Sequence, residues 1–305
     1  MNQKWGVFTH YLSGVQNGVG AVNSMGQGGS SWDECVHALD VSRLACELHE
    51  AGAHYLVLTL MQGAQYMCAP NATFDRITGY KPGEACSTRD LPMELYEALV
   101  PYGISLMLYY TGDGPYRDEE KAGARMGYVE PREENLTDGF IANWAEVLRE
   151  YSVRYGDKIK GWWIDGCYTY FGYSDERLKP YAEAVLAGNP DALIAFNGGV
   201  KERVSSYSKL DNYVCGEMNS FVDLPDGRFI DGAQWHTLAP LGLSPDGSEW
   251  GAWGKPGVKH SAEYMKNYVE EVNRRGGAVK IDVALYRDGH IDPEQLELLK
   301  HLKDI

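Results

Sequence analysis

The sequence predicts an α/β chain folded as a single-domain (β/α)8 TIM barrel, and three observations predict it. Short apolar runs alternate with longer segments of helical period, eight such runs can be placed, and no Pro/Gly/Ser-rich linker or compositional break divides the 305 residues. Alternation of this kind belongs to a parallel sheet covered by helices.

The elements follow in order. Trp5–His10 is the first strand, and Asp40–Ala51, with Leu44, Leu48 and Ala51 on one face, runs through the helix stop Gly52 into a second strand, Tyr55–Leu60. Asp90–Tyr102 carries Leu91, Leu95 and Leu99 at four-residue spacing and ends at Gly103, before a third strand, Ile104–Tyr110. Phe140–Tyr155 is amphipathic, ends at Gly156 and precedes Gly161–Asp165. The rhythm repeats with the helix Asp175–Ala187, the strand Leu193–Asn197, a weaker helical segment at Val204–Leu210, and the strand Tyr213–Glu217. Ala233–Thr237 is the expected seventh strand, and Ser261–Arg275 leads through Gly276-Gly277 into the eighth, Ala278–Val283. Pro293–Lys303 is a last helix, with Asp292 as cap and Pro293 in its first turn. A doubly wound open sheet is the alternative, but its phosphate fingerprint is absent: Gly18-Val19-Gly20 runs on to Asn23 where a third glycine belongs.

Composition narrows the function. Lys+Arg 28 against Asp+Glu 43 gives a net charge of −15 with no basic stripe, so neither nucleic acid nor an anionic membrane surface is an expected partner. Six irregularly spaced cysteines without a C-x-x-C pair read as reduced thiols. The opening residues go straight into a strand with no signal peptide, which places the protein in the cytoplasm unless a leader has been trimmed. Tyr55 to Phe74 is uncharged but is broken by Gln62, Gly63, Gln65, Pro70 and Asn71, so no membrane span is expected. Homo-oligomerisation is left open.

In a barrel of this type chemistry gathers at the C-terminal ends of the strands. The residues closing the runs are His10 and Tyr11, Gln62, Tyr109 and Tyr110, Asp165, Asn197, Glu217, His236 and Asp282. For any one of them the bland reading is a hydrogen-bonded barrel-mouth residue, and for the two carboxylates it is a cap, a salt-bridge partner or a rim charge. Asp165 closes the apolar run Trp162-Trp163-Ile164, where a lone charge is costly, and Glu217 closes a strand two further on. Two carboxylates converging across the mouth are the minimum machinery of glycoside hydrolysis. The 8 Trp, 21 Tyr and 7 Phe suit sugar stacking, although filling cores is their commoner use. Other chemistries fit poorly. His49-Glu50 with His54 is one residue too long for the zinc motif H-E-x-x-H, and no nucleophile elbow or P-loop is present. No metal and no cofactor is implied.

Several of these segments resemble the catalytic domain of the α-L-fucosidases of glycoside hydrolase family 29, from near residue 5 to the C-terminus. They are Trp5–Tyr11, Leu39-Asp40, Ala51–Thr59, Thr88–Leu91, Leu108–Thr111 and Asp288–Ile291. Most specific is Tyr155-Gly156-Asp157 followed by Gly161–Gly166, where the family places its nucleophilic aspartate. The resemblance implies a retaining exo-glycosidase with Asp165 as nucleophile and Glu217 as acid/base, Glu249 being the reserve candidate. It implies a glycoside or oligosaccharide substrate in a pocket lined by His10, Tyr11, Gln62, Tyr109, Trp163, Asn197, Trp235 and His236.

The chain also departs from the family. Met61-Gln62-Gly63-Ala64-Gln65-Tyr66 stands where the family has Lys-His-His-Asp-Gly-Phe, whose histidines grip fucose hydroxyls. Tyr11 replaces a tryptophan, and no C-terminal β-sandwich is expected. Specificity rests on hydroxyl-by-hydroxyl hydrogen bonds, so the lost pair argues for a different or substituted sugar. The rival readings are a non-catalytic sugar-binding barrel and a lyase or isomerase using the same two acids.

Overall fold

The computed structural model describes residues 4–17, 30–129, 136–244, 246–248 and 252–305. The near-match at Gly18-Val19-Gly20 lies outside them. Seven parallel strands form one curled sheet: β1 (Trp5–Thr9), β2 (Tyr55–Thr59), β3 (Ser105–Thr111), β4 (Ile159–Asp165), β5 (Leu193–Phe196), β8 (His236–Pro240) and β9 (Ala278–Val283). Their order is β5-β4-β3-β2-β1-β9-β8. The remaining two, β6 (Phe229–Ile230) and β7 (Ala233–Gln234), make a separate antiparallel hairpin.

The gap between β5 and β8 is filled by residues 211–218, which hold the place of the predicted strand Tyr213–Glu217 without regular strand geometry. On the β8 side, two parallel bridges join Tyr213 to Gln234 and Glu217 to Leu238. On the β5 side, side chains substitute for a ladder: Asn212 Oδ1 accepts Ile194 N–H at 2.8 Å and Asp211 Oδ1 accepts Phe196 N–H at 2.9 Å. Gly216 breaks the run because it sits at φ +63, and a Cβ there would lie 1.9 Å from the His236 carbonyl oxygen. The barrel is thus closed by an irregular eighth stave.

Two other expectations are corrected. Val204–Leu210 is turn and coil, not helix. The half-buried Asp211 accepts the N–H groups of Tyr207 and Ser208 as well, drawing that backbone into a side-chain-centred turn. The seventh barrel strand begins three residues later than Ala233–Thr237, because Asp231 (φ 49) and Gly232 (φ 90) form a tight turn that folds residues 229–234 into the hairpin. No helix follows the 211–218 stave either, so units five and six lack their covering helices.

The other helices stand close to their predicted places, at Val41–Ala51, Leu91–Leu99, Asp138–Tyr155, Asp175–Gly188, Ala262–Arg274 and Pro293–Lys300. Asp40, Asp90, Thr137, Ser261 and Asp292 cap five of them through side-chain oxygens.

Side chains alternate across each strand, one set inward and one outward. The inward set includes Phe8, Tyr55, Val57, Met107, Tyr109, Trp163, Ala195, Tyr213, Cys215 and Leu238, a closed core inside the barrel. The outward set packs under the helices as a second, larger core. The six cysteines are free thiols, five of them buried. No helix among the described residues is long and apolar enough to cross a membrane.

Candidate active site

Followed one step beyond the inward core, the alternation fixes which strand-end residues meet. On β1 the inward series continues from Phe8 to His10, on β4 from Trp163 to Asp165, and on β5 from Ala195 to Asn197. On the irregular stave it runs from Cys215 to Glu217, and on β9 from Lys280 to Asp282. These side chains converge at the C-terminal mouth beside a cavity of about 340 Å³, whose walls include His10, Gln62, Tyr109, Trp163, Asp165 and Glu217. A cavity of that size accommodates a monosaccharide unit.

Asp165 and Glu217 are joined through a single amide. Asn197 Nδ2 donates one N–H to Asp165 Oδ1 at 2.7 Å and the other to Glu217 Oε2 at 2.5 Å. The Tyr109 hydroxyl donates to the second Asp165 oxygen at 2.6 Å. Burial, and then the Asp165 charge, hold the Tyr109 phenol well above its ordinary range, so it remains a donor. Trp163 stacks on the Tyr109 ring, with centroids 5.3 Å apart, and fixes it from below. Glu217 is pushed up to about 8, first by burial and second by the neighbouring Asp165 charge, while the Asn197 hydrogen bond works in the opposite direction. One acid accepts two donors and its neighbour holds a proton at neutral pH: this is a division of roles between two carboxylates.

His10 is oriented from behind. Its Nδ1 lies 2.7 Å from the buried Asp282 Oδ1, which places the proton on Nδ1 and leaves Nε2 as the free ring position. The other Asp282 oxygen accepts the Gly254 N–H at 2.7 Å. That contact seats the loop carrying Trp253, whose ring lies 5.9 Å from that of His10.

Three residues expected in the pocket lie elsewhere. Tyr11 follows His10 and so points outward; its buried hydroxyl is 2.8 Å from the Cys35 carbonyl and 2.9 Å from that of Arg287. Trp235 also points outward, against Gly277. His236 is inward but at the barrel floor, fully buried against Tyr213, since β8 starts there and does not end there. Glu249 lies outside the described residues. Trp253, Tyr66 and Arg117 line the cavity without having been singled out from the sequence. Their common signal is topological: each lies in a loop that follows a strand, and side chains on such loops face the mouth whatever their type. Among the described residues no group of three or more His, Cys, Asp or Glu is placed to hold a metal ion.

No protein-family model matches the sequence, and no curated protein matches it. Solved structures do. An α-L-fucosidase from Lactobacillus casei in complex with α-L-fucose superposes with a TM-score of 0.64 at 18% identity, over 99% of this chain and 95% of that one. A family 29 α-L-fucosidase from Bacteroides thetaiotaomicron, trapped as a covalent intermediate, gives 0.66 at 17% identity over 99% and 72%. An endo-fucoidan hydrolase of glycoside hydrolase family 107 gives 0.68 at 15% identity, covering 98% of this chain and 52% of that one. The chain therefore spans about half the length of the fucoidan hydrolase. At these identities the likeness is one of fold: the chain has the barrel seen in fucosidases and fucoidan hydrolases.

Proposed function

We propose that the protein is a retaining exo-acting glycoside hydrolase of α-L-fucosidase type, with Asp165 as nucleophile and Glu217 as acid/base. One observation carries the reading. One oxygen of each acid, Asp165 Oδ1 and Glu217 Oε2, is held by the same amide nitrogen at 2.7 and 2.5 Å, so these two atoms are no farther apart than the sum of those two bonds. Retaining enzymes hold their carboxyl groups about 5–5.5 Å apart, whereas inversion needs roughly 6.5–9.5 Å to admit a water. The shared amide supports the first arrangement.

The chemistry follows from the environments. Glu217 enters the first step protonated and gives its proton to the departing glycosidic oxygen as Asp165 attacks the anomeric carbon. The glycosyl–Asp165 ester is then cleaved by a water that Glu217, now ionised, deprotonates. Tyr109 and Asn197 orient Asp165 for attack, and His10 Nε2 faces the sugar as a hydroxyl partner. Gln62 stands in the segment that in family 29 carries the histidine pair, so the sugar is gripped here by other groups.

The test is a panel of aryl glycosides including an α-L-fucoside. The wild type is expected to release the retained anomer first, as seen by proton NMR. Asp165→Gly is expected to lose turnover on the order of 10⁴-fold. Full turnover in Asp165→Gly, or first release of the inverted anomer, overturns the reading.

A further inference from the structure

The segment that in the resembling family bears two sugar-gripping histidines is rebuilt here around Gly63. Gly63 sits at φ +70, and the ring of Tyr116 lies 2.5 Å from where its Cβ would be. Its carbonyl accepts the Arg117 backbone N–H at 2.7 Å. The loop after β3 thereby docks onto the loop after β2 and carries Arg117 to the cavity rim, beside Gln62 and Tyr66.

Arg117 is exposed there and, among the described residues, has no counter-charge. Among the described residues its guanidinium makes neither an ion pair nor a hydrogen bond; its contact is with the ring of its own neighbour Tyr116, 5.6 Å to the centroid. The acid next to it in sequence is otherwise engaged: Asp118 accepts the Tyr80 hydroxyl at 2.6 Å and the Ala122 N–H at 3.2 Å. Of the acids behind the site, Asp282 is paired with His10, and Asp113 accepts the Thr111 hydroxyl. A neutral sugar gives a guanidinium little to hold, whereas a sulfate ester or a carboxylate meets its planar fork with two parallel charge-assisted bonds. In a chain of net charge −15 whose cavity already holds two acids, an anionic substrate needs such a local cation to bind at all.

We propose that the sugar taken by this cavity carries an oxyanion substituent, a sulfate ester or a carboxylate, which Arg117 holds with Gln62 beside it. This rests on the glycosidase reading and names its substrate class. The test compares 4-nitrophenyl α-L-fucoside, its mono-O-sulfated esters and the corresponding α-L-galacturonide on wild type, Arg117→Ala and Arg117→Lys. The readout is the ratio of kcat/KM for each charged substrate to that for the neutral one. The wild-type ratio is expected to exceed roughly tenfold for the ester or for the uronide, which tells the two oxyanions apart. Arg117→Ala is expected to lower that ratio roughly 10- to 100-fold through KM, and Arg117→Lys to restore part of it. A ratio near unity that Arg117→Ala leaves unmoved overturns this inference while the glycosidase reading stands. If no substrate is turned over, calorimetric titration with the same ester and uronide decides: binding lost in Arg117→Ala upholds the oxyanion site and overturns the glycosidase reading. Binding indifferent to Arg117, with no turnover, overturns both.

Discussion

Asn197 spends both of its N–H groups on the two acids, so its loss acts on each of them. In Asn197→Ala the kcat of an accepted glycoside is expected to fall about 10²-fold, because two positioning bonds go at once. The pH profile separates this from general damage. In the proposed mechanism Glu217 is protonated for the first step, and it is pushed up to about 8, so activity is expected to hold through neutral pH and to fall as pH rises past about 8. The Asn197 bond favours the ionised acid, so Asn197→Ala should move that alkaline limb to higher pH, read from kcat/KM against pH; a limb that stays in place contradicts the assignment. Of the residues involved, Asp165, Glu217, Asn197, Tyr109 and His10 were legible in the sequence, since each closes an apolar run. Tyr11 and Trp235 were not separable from them by residue type. Only the two-residue alternation along the strand shows which of two adjacent residues faces in, and the three-residue displacement of β8 sent His236 to the floor.

Among the elements, the irregular stave decides whether Glu217, the proposed acid/base, is in place. Gly216 takes a left-handed turn one residue before Glu217, with the His236 carbonyl against it. Gly216→Ala is expected to destabilise the protein by about 3 kcal/mol or more, since a backbone oxygen cannot yield as a side chain can. Chemical denaturation measures it, and an unchanged midpoint would show that the stave is not held as described. The regular helices were readable because period and caps agree: Asp40, Asp90 and Asp292 mark starts that the apolar spacing also marks. Val204–Leu210 was misread because its apolar spacing competes with Asp211, a carboxylate whose three backbone partners are set by the tertiary fold. A conflict of that kind is invisible along the chain.

For the whole molecule, two titratable groups of opposite type shape stability against pH. Glu217 moves from its ordinary 4.5 to about 8, so the folded protein holds a proton that the unfolded chain releases, and stability contributed at low pH is lost as pH rises through about 8. Lys280, fully buried above the Tyr213 ring with no hydrogen-bond partner for its Nζ among the described residues, is lowered by burial from 10.5 to about 8, so the cost of burying its charge is relieved as pH rises from 8 towards 10.5. Unfolding free energies at pH 5, 8 and 10 should show Glu217→Gln losing the falling limb and Lys280→Met losing the rising one. Near neutral pH, Lys280→Met should gain about 1–3 kcal/mol. The barrel itself was legible from eight spaced apolar runs, whereas the missing helices after β5 and after the stave were not, because side-chain and turn chemistry took their place. One feature of the mouth also bears on how the protein ages. Asn197 is followed by Gly198, a pair in which no side chain shields the amide carbon from attack by the next backbone nitrogen. Deamidation there would exchange the shared donor for a third acid between two others. The geometry of the mouth and its chemical shelf life therefore turn on the same side chain.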